Sequence, residues 1–282
     1  MKKVRSSLNL DLSLPHAMRR AKQKTNDSSP RGIFITATDT GVGKTLITAA
    51  LVAHLTQRGI DVGVMKPIET GVSRSTKAQS DGTRLRRTAG SHDPIVEVCP
   101  YVFRLPMAPL SAARAEGTTV RVATIIQAFR TLQSRHEVVL VEGVGGVYVP
   151  ITSSLNISDL IYRMKLPAIV VGWSGLGGIN HALLTLHALR QRKIPIVALV
   201  LNQRRPVHTK TARAQEQSTV SLLRRLAGVP VVSPLPYSSS VNRNWNESLV
   251  RLAGSAEITK LARLVRAFGR GTRSRRGKYP EP

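Results

Sequence analysis

Acidic side chains are scarce in this chain: 16 Asp and Glu stand against 42 Lys and Arg in 282 residues, a formal net charge of +26. Such an excess directs attention to nucleic acid or anionic membranes, yet aromatic residues are scarce as well, at 4%. A platform for single strands interleaves aromatics with its cations, whereas Arg84, Arg86 and Arg87, or Arg204 and Arg205, have none beside them. The dispersed charge reads as a solvated basic surface, and specific nucleic-acid binding is not expected. Cysteine is nearly absent. The lone Cys99 excludes an intrachain disulfide, and no Cys/His cluster carries a zinc signature, so a reducing cytoplasm fits. No apolar run approaches the ~18 residues of a membrane span, and the N-terminus lacks the apolar core of a secretory signal; no membrane partner is expected.

The charge is concentrated at the two ends. Residues 1–31 hold eight basic and two acidic side chains, and residues 266–282 hold six and one. Both segments are poor in periodic apolar residues, so the expected organisation is a basic, disordered extension over 1–31, one domain over 32–265 and a basic tail over 266–282. An over-early start or an organelle-targeting segment would each account for residues 1–31, the second being opposed by Asp11 and Asp27. The 41% hydrophobic content is ample for the core of that domain.

Between the ends, short β-rich runs alternate with helical patterns. Strands are predicted at Gly32–Ala37, Val62–Lys66, Val138–Glu142, Ala168–Gly172, Ile196–Asn202 and Val231–Leu235. Helices are predicted over Thr45 to Arg58, Val120–Gln133, Ile179–Arg190 and Ser218–Leu226. Alternation of this kind implies right-handed βαβ crossovers, hence an α/β fold with a mainly parallel sheet and helices on both faces. Reactive groups then gather where the strands end.

The most telling stretch is Thr38-Asp39-Thr40-Gly41-Val42-Gly43-Lys44-Thr45, placed after the first strand and before the first helix. The usual phosphate loop has Gly where this chain has Thr38, but the order strand, loop, helix and the pair Gly41 and Gly43 are retained. Backbone N–H groups from Asp39 to Thr45 would surround phosphate oxygens, Lys44 would neutralise their charge, and the Thr45 hydroxyl would ligate Mg²⁺. Nucleoside triphosphate binding is the first expectation, with a P-loop NTPase-like fold.

The other strand ends carry polar residues. Lys66 is either a solvated edge charge or a second cation at the phosphate rim, where Thr70 could offer a hydroxyl to substrate. Glu142 either forms a salt bridge or holds a cation, with a metal favoured. Gly143, Gly145 and Gly146 after it permit close approach or positive φ. Asp81 reads by itself as a turn residue. Asn202 is a base-reading amide or a turn residue, and Pro236 shapes the same pocket. Gly175–His181 opens a helix whose N–H groups suit an anion, with His181 packed or capping rather than catalytic.

In this order, Thr-Asp-Thr-x-Val-Gly-Lys-Thr, Lys-Pro-x-x-Thr-Gly, Val-Glu-Gly-x-Gly-Gly and Leu-Gly-x-Ile-Asn-His resemble the ATP-dependent dethiobiotin synthetases over roughly residues 32–250. Pro106–Pro109 and Glu116-Gly117 resemble that family's substrate-side segment. The resemblance implies 7,8-diaminononanoate, CO₂ and MgATP as substrates, and dethiobiotin, ADP and phosphate as products. It also implies that Thr40, Lys44 and Lys66 surround the phosphates and carbamate, and that Thr45, Asp81 and Glu142 hold Mg²⁺. Thr70 and Gly145 would lie on the diamine side, while Asn202 and Pro236 would hold adenine. It further implies a homodimer in which Gly177–Asn180 of one subunit meets the substrate carboxylate of the other. Ala37, Gly41 and Trp173 depart from residues common in relatives, Trp173 standing where many have a basic side chain. An amidotransferase-like ligase, a DNA-binding partition ATPase and a catalytically weakened binding protein are the rival readings. The last is disfavoured by Lys44, Lys66, Asp81 and Glu142, and the partition ATPase by the lack of a second Lys early in the loop.

Overall fold

Alternate residues of the first strand face opposite helical layers, and this alternation builds the molecule. A computed structural model of the chain describes residues 32–274 apart from 242. Its elements run β1 (Gly32–Ala37), α1 (Lys44–Thr56), β2 (Val62–Met65), β3 (Ile68–Glu69), α2 (Asp81–Thr88), α3 (Ile95–Val98), β4 (Tyr101–Val102), α4 (Pro109–Ala115) and α5 (Val122–Arg135). They continue β5 (Val138–Gly146), α6 (Ile157–Met164), β6 (Ala168–Trp173), α7 (Gly178–Gln191), β7 (Ile196–Asn202), α8 (Lys210–Leu226), β8 (Val231–Leu235), α9 (Trp245–Ala253) and α10 (Ala256–Ser274).

Six strands form one parallel sheet in the order β2-β5-β1-β6-β7-β8, while β3 and β4 pair in parallel beside it. Phe34, Val139, Val141, Val170 and Leu199 point to the layer holding Ile125 and Phe129 of α5, Leu160 of α6 and Leu186 of α7. Ile33, Ile35, Leu140, Ile169 and Val200 point to the layer of α1, α9 and α10, against Ile47, Leu51, Leu252 and Leu261. Because both faces are covered, the strands read as continuous apolar runs. From β1 the chain crosses outward to β2 and returns through β5, then builds away on the other side from β6. The crevice at the carboxyl end of β1 is therefore the topological switch point, where α/β sheets bind ligands.

Each predicted strand and helix is present; β1, β7 and β8 have the predicted bounds and the others have shifted ends. The strand predicted to stop at Glu142 runs on through the glycines to Gly146, and the helix predicted from Ser218 begins at Lys210, capped by Thr209. That first half is polar on most faces, so its period is faint in the sequence. The expected boundary at residue 265 falls inside α10, which packs Val265 and Phe268 on the core; residues 1–31 and 275–282 lie outside the described residues.

At the opposite, amino-terminal edge of the sheet, His136 links three segments. Its Nδ1 lies 2.7 Å from Asp61 Oδ1 and its Nε2 lies 2.8 Å from Asp93 Oδ2. Two carboxylate partners require both nitrogens to donate, which is the imidazolium form. Burial opposes that charge, but the hydrogen bonds and charges of Asp61 and Asp93 outweigh it and raise the imidazole above its ordinary 6.5. A raised folded value means that the stabilisation is fully present below 6.5 and is lost as pH rises through the folded value. Melting temperatures of the parent and His136→Asn should therefore differ most in mildly acid buffer and converge as pH rises into the alkaline range. A difference that is constant with pH would mean that the imidazolium contributes nothing.

Candidate active site

The phosphate loop owes its shape to what lies beneath it. Gly43 caps α1 at φ 98°, a left-handed conformation, and no side chain caps this helix. Its first-turn N–H groups are thus left without a side-chain acceptor, facing the crevice where an anion is favoured. A Cβ on Gly43 would collide with the Asn202 side-chain amide, so glycine is required twice over. Asn202 itself is buried and its Nδ2 donates to Val42 O at 2.9 Å, supporting the loop from the end of β7. Thr38 N donates to Val171 O at 2.9 Å, tying the start of the loop to β6. Asp39, Thr40 and Gly41 are exposed on top, with Thr40 N donating to Asp39 Oδ1 at 2.6 Å.

Lys44 turns back over the loop, its Nζ donating to Asp39 O at 3.4 Å, and it is 7% exposed. Burial, reinforced by the nearby Lys66 charge, lowers its ammonium from 10.5 to about 8, against the opposing pull of Glu142 and Asp81.

Lys66 follows β2 and its Nζ sits between two carboxylates, 2.6 Å from Glu142 Oε1 and 2.9 Å from Asp81 Oδ2, with a further donation to Gly143 O at 3.3 Å. Burial opposes its charge, but Glu142 and Asp81 outweigh it and hold the ammonium well above the ordinary lysine range. The same ammonium, together with Thr45, pulls the Asp81 carboxyl below its usual value despite burial. Thr45 Oγ1 donates to Glu142 Oε1 at 2.8 Å, while Glu142 Oε2 is buried and finds no partner among the described residues. Of the two alternatives read for Glu142, the salt bridge is present, and one carboxylate oxygen stays uncommitted.

That orphaned oxygen, a threonine hydroxyl and the Asp81 carboxylate are hard oxygen donors suited to Mg²⁺. No grouping of three or more His, Cys, Asp and Glu side chains among the described residues could hold a metal by itself. Mg²⁺ commonly takes one or two carboxylates and completes its shell with substrate phosphates, so the set fits a nucleotide-borne ion.

The structure therefore brings Thr45, Lys66, Asp81 and Glu142 into direct contact and sets Lys44 beside them. Gly145 lies near Thr40, whose Oγ1 would be 3.7 Å from a Cβ built on it. Thr70 is half-buried just after β3. The remaining candidates sit apart from this cluster: Pro236 is exposed after β8, and Gly177 and Asn180 are exposed at the start of α7. His181, expected to pack or cap, is instead exposed on α7, whose cap is Gly177. Asp81 is not a turn residue but opens α2.

Two participants carried no signal in the sequence. Arg204, counted only as dispersed charge, stacks its guanidinium 5.4 Å from the centre of the Trp173 ring, beside Gly41. Glu69 receives the first two backbone N–H groups of α2, and burial raises its carboxyl above the usual range. Its partners lie 12 and 13 residues away across an irregular segment, a spacing that no periodicity reveals.

A protein-family model described as an AAA domain matches residues 31–244. The ATP-dependent dethiobiotin synthetase BioD of Anaeromyxobacter dehalogenans is 45% identical over 62% of this chain and 78% of its own length. The protein of the same name from Bacillus velezensis is 34% identical over 83% of this chain and all of its own length. Among solved structures, the MinC:MinD cell division protein complex of Aquifex aeolicus contains a similar chain, with a TM-score of 0.50, 14% identity, and coverage of 89% of this chain and 98% of that one. At that identity the likeness extends to the P-loop fold alone.

Proposed function

This chain belongs to the ATP-dependent dethiobiotin synthetase family, and from that premise we propose that it closes the ureido ring of dethiobiotin from 7,8-diaminononanoate, CO₂ and ATP in biotin biosynthesis. One amine captures CO₂ as a carbamate. A carbamate oxygen attacks the γ-phosphorus and ADP leaves; the neighbouring amine then attacks the activated carbonyl and phosphate leaves. Phosphorylation is needed because a carbamate lacks a leaving group, and the adjacent amine makes closure intramolecular.

The observation that carries this reading is the meeting of two buried lysines, Lys44 and Lys66, at the rim of an uncapped helix N-terminus. Lys44 and the N–H groups of the loop neutralise phosphate oxygens and hold the γ-phosphoryl group for in-line attack, assisted by the Thr40 backbone. Lys66 stabilises charge that develops on the transferred group and the carbamate. Thr45, Asp81 and Glu142 would hold Mg²⁺, which would supply neutralisation of phosphate charge. Thr70 and Gly145 border the diamine. Asn202, whose amide is already committed to Val42 O, and Pro236 flank the base. The homodimer implied by the resemblance is supported by exposed apolar side chains near Gly177 and Asn180, Leu176 at 77% just before α7 and Leu184 at 60% midway along it. No helix among the described residues is long and apolar enough to cross a membrane.

The deciding experiment supplies purified protein with 7,8-diaminononanoate, bicarbonate and MgATP and follows dethiobiotin by mass. Product that depends on all three is expected; consumption of ATP without any ureido product would overturn the assignment. Within that assay, Asp81→Asn and Glu142→Gln should shift the Mg²⁺ activation curve by about tenfold or more while the KM for the diamine moves little, since an amide keeps the size but loses the charge that a hard cation prefers. Superimposable magnesium curves would remove both residues from the ligand set.

A further inference from the structure

We infer that Glu69 is a positioning residue that fixes the Asp81 carboxylate at the cation pocket, an inference that rests on the reading of Asp81 as a ligand of nucleotide-borne Mg²⁺. Glu69 ends β3 and is 6% exposed. Its Oε1 accepts from Asp81 N at 2.5 Å and its Oε2 from Gly82 N at 3.0 Å, so one carboxylate spans the first two donors of α2. Ser80 takes the third, accepting from Thr83 N at 3.4 Å. The Ser80 cap satisfies one donor of the first turn and leaves those of Asp81 and Gly82 to another acceptor. A second, buried carboxylate brought from another element carries a desolvation cost, which a cap by itself does not demand.

What Glu69 adds is a rigid link between two sides of the pocket. Lys66 and Glu69 lie on one short extended run that is anchored by Lys66 N donating to Val98 O at 2.7 Å and Phe103 N donating to Glu69 O at 2.8 Å. Between Glu69 and Asp81 the chain leaves the core, and residues 73–79 are exposed. Without Glu69, the place of Asp81 relative to Lys66 would be set by that exposed segment and by the packing of Leu85 one turn further into α2. With it, the backbone nitrogen of Asp81 is tied to the run that carries Lys66, and the Asp81 side chain reaches Lys66 Nζ at 2.9 Å. The packing agrees: a Cβ on Gly82 would stand 3.0 Å from Cys99 Cβ and 3.5 Å from Glu69 Oε2, so glycine lets the first turn of α2 press on the junction between α3 and β4 without displacing Cys99. Cys99 Sγ, 3.9 Å from Glu69 Oε2, closes the pocket around the carboxylate from the other side. Because the link acts on the first turn of α2 and makes no contact with the phosphate loop, its loss should be felt in the metal and not in the loop.

The test measures ADP binding by calorimetry with and without Mg²⁺ in the parent, Glu69→Gln, Asp81→Asn and the double variant. Glutamine keeps the shape but turns an NH₂ toward a backbone N–H. Glu69→Gln is expected to reduce the Mg²⁺ enhancement of ADP affinity about tenfold, the scale of an outer-shell partner of a metal ligand. Affinity for ADP without Mg²⁺ should stay within about twofold of the parent, a split that general loosening of the fold does not produce. In the Asp81→Asn background the same change should cost nothing further, because the residue through which it acts is already lost. Independent, multiplying losses in the double variant, or a full Mg²⁺ enhancement in Glu69→Gln, would overturn the inference. Undiminished enhancement in Asp81→Asn would instead overturn the ligand reading on which it rests. If Glu69→Gln melts below the assay temperature, Glu69→Asp, which keeps both acceptors but withdraws them by one methylene, is read by the same criteria.

Discussion

Replacing Lys66 with alanine is expected to cripple ring closure and, in the nucleotide-free protein, to make thermal stability depend on magnesium. The ammonium is buried between Glu142, which has no exposed surface, and Asp81, at 2.6 and 2.9 Å. Removing it leaves the two carboxylates with no cation between them, and breaking a buried pair from one side costs about 3–5 kcal/mol. A hard divalent cation taking oxygen ligands can fill that place, so added Mg²⁺ should recover much of the lost melting temperature in the variant. In the parent the ammonium already occupies the space between the carboxylates, and Mg²⁺ without nucleotide should change its melting temperature little. Turnover should fall by a factor of about 10² to 10³ or more even where Mg²⁺ restores the fold, because the charge that meets the transferred group is gone. Melting curves with and without Mg²⁺, set beside the ring-closure assay, decide the matter. Parent-like turnover would remove Lys66 from the chemistry, and a variant indifferent to magnesium would mean that Glu142 and Asp81 do not form a cation pocket.

Nucleotide binding should lose at least about two orders of magnitude in Lys44→Ala, and in the parent it should take up a proton in mildly alkaline buffer. Lys44 is buried beside a second cation, which lowers its ammonium to about 8. Near that pH a substantial share of the nucleotide-free protein carries neutral Lys44. Phosphate oxygens arriving beside it favour the charged form, so binding must bring a proton with it, and affinity declines as pH rises past the free value. The same depression has a sign in folding. Between about 8 and the ordinary 10.5 the unfolded chain holds more protons than the folded one, so this group makes the protein more stable as pH rises through that window. Calorimetry of MgADP binding in buffers of different ionisation enthalpy reads the uptake directly. It should be largest above pH ~8, fall toward zero near neutrality, and vanish in Lys44→Arg, whose guanidinium stays charged throughout. Uptake that persists in Lys44→Arg would assign the proton to another group.

The course of the chain and the chemistry of the loop were determined by the sequence alone. Apolar runs such as Ile196–Leu201 demand a sheet covered on both faces, and a Gly-Lys-Thr placed between a strand and a helix has few uses other than phosphate. Local patterns suffice there because strand period, helix period and a loop of consecutive residues are all short-range properties. Where elements start was less legible: α8 begins eight residues ahead of the pattern that announces it, since capping by Thr209 and tertiary packing extend a helix whose first half is polar. The pairing of charges belonged to the tertiary structure. Lys66, Asp81 and Glu142 come from three separate segments, and whether Lys66 faced solvent or two carboxylates depended on β2 lying against β5 in register, Met65 beside Val141. The same holds for Asn202, whose amide was open to a base in the sequence and is engaged by Val42 O in the fold. Glu69 is the extreme case. Nothing near it in the chain marks it out, and it becomes part of the site only because a two-residue strand carries its carboxylate to the first turn of a helix twelve residues on.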